Sequence, residues 1–231
     1  EAAAQWQPFT DIAQAMAATE PAAIELVLDA GTAARQVGQH RVLHASEFHG
    51  DEDASVSEQP DGSRTLRWTV KPWPRLLILG GGPDAAPVVS AARALGWHVA
   101  VCDHREALLA APALAEADQR VCVKPNELAA RVDISAFDAA VVMSHHLASD
   151  EAYLQQLAAG AHAYVGVLGP AGRRAELLSL LGLERSDFAR RLCGPVGLNI
   201  GADSPASIAL ALVAEIHGAL KANPNSAAID S

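Results

Sequence analysis

Arg75-Leu76-Leu77-Ile78-Leu79-Gly80-Gly81-Gly82-Pro83-Asp84-Ala85 is the stretch on which the reading of the whole chain turns. Its unbroken apolar run is typical of a strand buried on both faces. The glycines permit a tight turn and a close approach of backbone N–H groups to a phosphate. Pro83 suits the first position of a helix, here expected to run to Leu95. The spacing Gly80-x-Gly82-x-x-Ala85 is a dinucleotide-binding fingerprint in its alanine form. Asp103 ends a second strand expected over His98–Cys102. It follows the turn at the distance where that fingerprint places its carboxylate on a ribose 2′-hydroxyl. Asp84, in the first helical turn, suits the helix dipole but would repel a pyrophosphate. Arg105 could hold a phosphate or face water.

Downstream, the grammar repeats. Strands are expected at Arg120–Val123, Ala139–Met143 and Ala163–Leu168, with helices over 149–159 and 171–181. Buried runs alternating with helices imply a doubly wound, mainly parallel α/β sheet of Rossmann type. Ser204 and Pro205 open a last helix that runs to about Lys221 and stops before Asn223-Pro224. Upstream, residues 1–20 read as an alanine-rich helix or leader ended by Pro21. Short apolar runs follow at Ile24–Leu28 and Arg41–Leu43, and Thr65–Val70 alternates with period two. Residues 48–63 are acidic and polar, with a turn at Pro60-Asp61-Gly62. The domain reading is residues 1–70 as a small β-containing partial domain or connector, 71–222 as the Rossmann-like domain, and 223–231 as a flexible tail. Lys71-Pro72-Trp73-Pro74 is the stiff link between the first two.

Composition narrows the function classes. The chain has 231 residues and a formal charge of −10. That balance argues against nucleic acid or an anionic membrane as the main partner. Alanine is abundant and aromatic residues are 4%. No apolar run reaches the roughly 18 residues a membrane span needs, and no signal peptide is expected. Cys102, Cys122 and Cys193 are sparse and far apart, as in a cytoplasmic protein with reduced thiols. The absence of an initiating Met reads as a processed, trimmed or deliberately truncated piece of something longer.

Four further segments could carry chemistry. Ser144-His145-His146 ends the fourth strand, at the sheet edge where such folds bind ligands. Asp150 caps or begins the next helix. Gly169 to Gly172, followed by Arg173 and Arg174, is a glycine-rich turn with two cations opening a helix, a reasonable anion site. His40, His44 and His49, with Glu47 and Asp51, fit no zinc spacing and read as surface residues. Cys193, before Gly194-Pro195, would be reactive only if its pKa were lowered. No metal site is expected. Two readings stay open on these residues: a binding module, or an NAD(P)-dependent oxidoreductase with His145 or His146 as acid–base group. A third is a partner-binding domain that holds no ligand.

Taken together, the segments resemble the xanthine dehydrogenase accessory proteins, the XdhC/CoxI family of molybdenum-hydroxylase maturation factors. The resemblance rests on Leu77–Ala85, Val101–Arg105, Val141–His146 with Asp150 and Leu154, Tyr164–Pro170 with Arg173-Arg174, and Pro195–Gly201 with Ser204-Pro205 and Ala214-Glu215-Ile216. It covers residues 75–220, more than half of the chain. It implies a maturation chaperone rather than a turnover enzyme. Such a factor binds molybdenum cofactor (molybdopterin), assists its sulfuration with a cysteine desulfurase, and delivers it to an apo molybdenum hydroxylase. The implied ligand contacts are Gly80, Gly81, Gly82, Pro83, Asp103, Arg105, Ser144, His145, His146, Gly169, Arg173 and Arg174. Many family members have His where this chain has Pro83. A Ser-Gly-Gly-Cys stretch usual in the family's N-terminal domain is not found. The alanine-rich last helix offers a face on which a homodimer could pack.

Overall fold

The computed structural model describes residues 7–18, 20–32, 36–44, 47 and 54–222. It divides into two compact units, one ending at Trp73 and the other beginning at Pro74. The expected tail, residues 223–231, lies outside the described residues, as do His49 and Asp51.

In the first unit, helix α1 (Gln7–Ala17) precedes four antiparallel strands: β1 (Ala22–Asp29), β2 (His40–His44), β3 (Ala54–Glu58) and β4 (Arg64–Val70). Their order is β2-β1-β4-β3. Ala22, Ile24 and Val70 pack with Ala15 of α1 and, at the margin, Ile12 and Met16. The other face is polar at its middle. Glu25 lies directly opposite Arg41 and Arg67 and pairs with both, at 3.0 and 2.9 Å. Strand β3 corrects the reading of residues 48–63 as polar chain with a turn. Ala54-Ser55-Val56-Ser57-Glu58 has no apolar run, because an edge strand exposes alternate residues to water.

The second unit holds six parallel strands: β5 (Arg75–Leu79), β6 (His98–Asp103), β7 (Gln119–Cys122), β8 (Ala139–Val142), β9 (Tyr164–Val167) and the two-residue β10 (Leu192–Cys193). Their order is β10-β9-β8-β5-β6-β7. The chain enters at the centre, winds outward to β7, returns to β8 and winds out the other way. That is the Rossmann order, with its reversal between β5 and β8. The expected fold class is therefore the observed one.

Alternation within β5 explains the two layers. Leu76 and Ile78 face a core with Val88, Val89 and Ala92 of α2 (Ala85–Ala94). Leu77 and Leu79 face the opposite core. The short helices α3 (Glu106–Leu109) and α4 (Leu128–Arg131) follow β6 and β7. The second core is closed by Tyr153, Leu154 and Leu157 of α5 (Leu147–Leu157) and by Leu177 and Leu178 of α6 (Arg173–Leu181). A short α7 (Asp187–Arg191) leads into β10, and α8 (Pro205–Lys221) ends the unit. Ser204 caps α8 in a reciprocal pair with Ser207. The face of α8 bearing Ala209, Leu212, Val213 and Ile216 is buried in the first of these cores. That face is thus already covered within the unit. No helix among the described residues is long and apolar enough to cross a membrane.

Candidate functional site

Two turns meet at the reversal point. The Gly80–Asp84 turn leaves β5, and Met143–His146 leaves β8 beside it. Gly80 has φ +124°, and a Cβ there would lie 2.6 Å from both the carbonyl carbon and oxygen of Met143. Only glycine lets the two turns close to that distance. Gly82 differs, since a Cβ on it would meet nothing within 4 Å. Its backbone faces open space at the N-terminal end of α2. The helix starts two residues later than the sequence suggests. Pro83 and Asp84 belong to the turn, and Ala85 is the first helical residue.

Asp84 occupies the N-cap position but makes no side-chain cap bond. Its carboxylate instead reaches across to the β8 turn, where Oδ2 lies 2.9 Å from His145 Nε2. His145 has φ +59° and is the one non-glycine residue with positive φ among the described residues. Holding a side chain there costs roughly 1 kcal/mol or more. His146 is the N-cap of α5, and its Nδ1 accepts from the Ser149 N–H. Both histidines are exposed.

The remaining candidates lie at this carboxyl edge, but most of their polar atoms bind the protein. Asp103 is buried. Its Oδ2 accepts from the Gly81 N–H and from Arg105 Nη2, both at 2.8 Å. Its Oδ1 accepts from the Arg105 N–H and Nε, at 2.8 and 2.9 Å. Burial raises the Asp103 pKa, yet the bonds from the Arg105 side chain, Gly81 and the Arg105 backbone outweigh it. The carboxyl is held below the usual carboxylate range. So the carboxylate read as a ribose contact braces the glycine turn.

Asp150 is fully buried within α5. Ser144 Oγ donates to its Oδ1 at 2.5 Å, and Arg173 Nη2 donates to its Oδ2 at 2.9 Å. This Ser144–Asp150–Arg173 chain ties the β8 turn to the starts of α5 and α6. Sequence reading places Asp150 at the helix start without its partners. Asp150 and Arg173 lie on different helices, and no local pattern signals the pair. Arg174 donates Nε to the Leu192 carbonyl at 2.7 Å and Nη2 to that of Ala189. These bonds explain two cations at a helix N-terminus, which the dipole alone would disfavour. Gly169 sits tightly against Arg173, whose Cγ would be 2.9 Å from an added Cβ.

Elsewhere, Cys193 has its pKa raised by burial and by Glu215, which opposes reactivity. His40 Nε2 lies 2.8 Å from Asp11 Oδ2. Among the described residues no group of three or more His, Cys, Asp or Glu side chains is arranged to hold a metal ion.

Comparison with known proteins bears on the same residues. Residues 76–216 match the family described as the XdhC Rossmann domain. A protein of Bacillus subtilis (strain 168), named as a probable subunit of xanthine dehydrogenase, is 35% identical over 147 residues. The match covers 64% of this chain and 43% of that protein. The chain therefore spans less than half the length of this curated relative. A crystal structure described as a xanthine dehydrogenase from Bacillus halodurans superposes with a TM-score of 0.72. It covers 96% of this chain and 66% of the other at 21% identity, and so speaks to the fold.

Proposed function

The chain belongs to the XdhC family through its Rossmann domain, and on that premise we propose that it is an accessory factor for a xanthine dehydrogenase or related molybdenum hydroxylase. Its partner is the apo-hydroxylase. Its ligand is the molybdenum cofactor, held while a cysteine desulfurase supplies sulfur and then passed on. The supporting observation is the meeting of two turns at the reversal point, with Gly82 open to the outside. A phosphate-bearing pterin fits the chemistry of that edge. The Gly82 N–H at the start of α2 would take the phosphate, those of Gly80 and Gly81 being donated to the Cys102 carbonyl and to Asp103, and His145, His146 and the exposed part of Arg105 would surround it. Asp103 and, through Asp150 and Ser144, Arg173 position those groups rather than meet the ligand, and Arg174 donates to the Ala189 and Leu192 carbonyls. The chemistry of the molybdenum centre belongs to the cofactor and the hydroxylase that receives it.

The oxidoreductase reading is disfavoured by Asp103, whose two oxygens already accept four N–H bonds. Native mass spectrometry of the chain with molybdenum cofactor, NAD(H), NADP(H) and nucleoside phosphates tests the assignment. Retention of a molybdopterin mass, lost in Gly82→Val, is the expected result. Retention of a nicotinamide mass instead, or of neither, overturns it.

A further inference from the structure

Asp84 is placed where an anionic ligand would have to come. It sits in the glycine turn, at the start of α2, and leaves its own helix uncapped. Its carboxylate is engaged with His145 at 2.9 Å, from the neighbouring strand's turn. His145 holds that bond in the left-handed region, which an L-residue with a Cβ leaves readily when nothing fixes it. Both side chains are partly exposed, at 50% for His145 and 28% for Asp84. The backbones beneath them run close together, since a Cβ on Gly80 would lie 2.6 Å from the Met143 carbonyl. What can move is the pair of side chains.

We infer that Asp84 serves as a built-in stand-in for the ligand's phosphate, and that His145 passes from Asp84 to the phosphate when one binds. This deepens the proposed function and rests on that reading of the glycine turn. The consequence is selectivity. A phosphate entering beside Gly82 must displace the Asp84 carboxylate from His145 and tolerate its charge nearby. Weakly held anions are rejected, and only a ligand with additional contacts reaches the turn. His145 is the specificity-determining residue, and Asp84 sets its threshold.

Isothermal titration with ADP as the probe, at fixed pH and ionic strength, tests the exchange. Asp84→Asn removes the competing charge without removing a cap bond. It is expected to tighten ADP binding at least tenfold. His145→Ala is expected to weaken binding at least tenfold in the Asp84→Asn background, and by much less in the native chain. A non-additive cycle of that sign is the signature of an exchanged partner. Equal affinity of Asp84→Asn and native chain within threefold, with binding abolished by Gly82→Val, overturns the exchange and leaves the site standing. ADP binding that survives Gly82→Val unchanged, or no binding in any variant, overturns the site reading and the exchange with it. Unaltered melting temperature in Asp84→Asn separates these outcomes from misfolding.

Discussion

Gly80 and Gly82 are two residues apart in one motif, yet the structure gives them different work. Gly80→Ala is the sharper perturbation. Its φ of +124° is a conformation that L-residues rarely adopt, at a cost of about 1–3 kcal/mol. The new methyl would lie 2.6 Å from the Met143 carbonyl carbon and oxygen. Both are backbone atoms of the strand end, so relief requires the β8 turn to shift by several tenths of an ångström. Overpacking of that kind costs about 1–3 kcal/mol. Together the two effects come to about 2–6 kcal/mol. At roughly 2–4 °C per kcal/mol for a unit of this size, the melting temperature should fall by at least about 4 °C. Gly82→Ala meets nothing within 4 Å and has no positive φ to strain. It should stay within about 0.5 kcal/mol of the native chain.

Urea unfolding followed by far-ultraviolet circular dichroism measures both, with an NMR fingerprint spectrum to confirm each variant's fold. If Gly80→Ala is as stable as the native chain, the two turns are not locked as described. A Gly82→Ala variant as unstable as Gly80→Ala would show that both glycines are architectural. In that case the open backbone could not be kept for a ligand.

Three other outcomes follow from buried charge. Arg173→Met strips the cation from fully buried Asp150 and should cost about 3–5 kcal/mol, most of it recovered in Arg173→Met/Asp150→Leu; a single variant as stable as the native chain in the same urea assay would contradict the buried pair. Burial, with the Arg75 and Arg93 charges, lowers the His98 pKa from 6.5 in spite of Asp118. The unfolded chain therefore takes up the proton first, and stability should fall as pH drops below about 6.5; His98→Gln should flatten that slope in melting curves, and an unchanged slope would assign it to other groups. Asp103 acts in the same direction at lower pH, its depressed pKa contributing stability that is present above 3.8 and lost as pH falls through the folded value. The stability gap between native chain and Asp103→Asn should therefore narrow below about pH 4, and a gap independent of pH would sink the assignment.

Legibility in the sequence tracked apolar continuity. The middles of β5, β6 and β8 are runs of Leu, Ile, Val, Ala and Cys buried on both faces, β9 is the equally buried Tyr164-Val165-Gly166-Val167, and such runs announce themselves. Helix α8 was readable because Ser204 and Pro205 carry the start signal in the chain itself. Strand β3 was not, because its edge position asks only for alternation among Ser, Val and Glu. Two-residue β10 is defined by its pairing of Leu192 with Val165 and Cys193 with Gly166. No local pattern could supply that. At the site, topology placed the candidates at one edge, and so their location was legible. Their partners were not. Arg173 and Arg174 look alike in sequence, but one meets a buried carboxylate and the other two carbonyls. Pro83 resembled a helix start because its fixed φ suits one. The backbone instead uses Pro83 and Asp84 in the turn that reaches β8.

The carboxyl edge thus has two classes of polar residue, and they should fail differently. Asp103, Ser144, Asp150 and Arg173 turn inward and hold the turns in register, while Arg174 ties the start of α6 to the Ala189 and Leu192 carbonyls. Gly82, Asp84, His145 and His146 face outward on that frame. A rigid inner layer that fixes an exposed recognition surface is how a site can be specific without a deep cavity. Removing an inner residue should lower stability and blur ligand binding together, since the turns lose their register. Removing an outer one should change affinity at nearly constant melting temperature. A variant set scored on both axes would separate into these two groups. If Arg173→Met lost stability but kept full ligand affinity, the frame and the recognition surface would be independent. The recognition site would then have to be sought away from the β5–β8 reversal point.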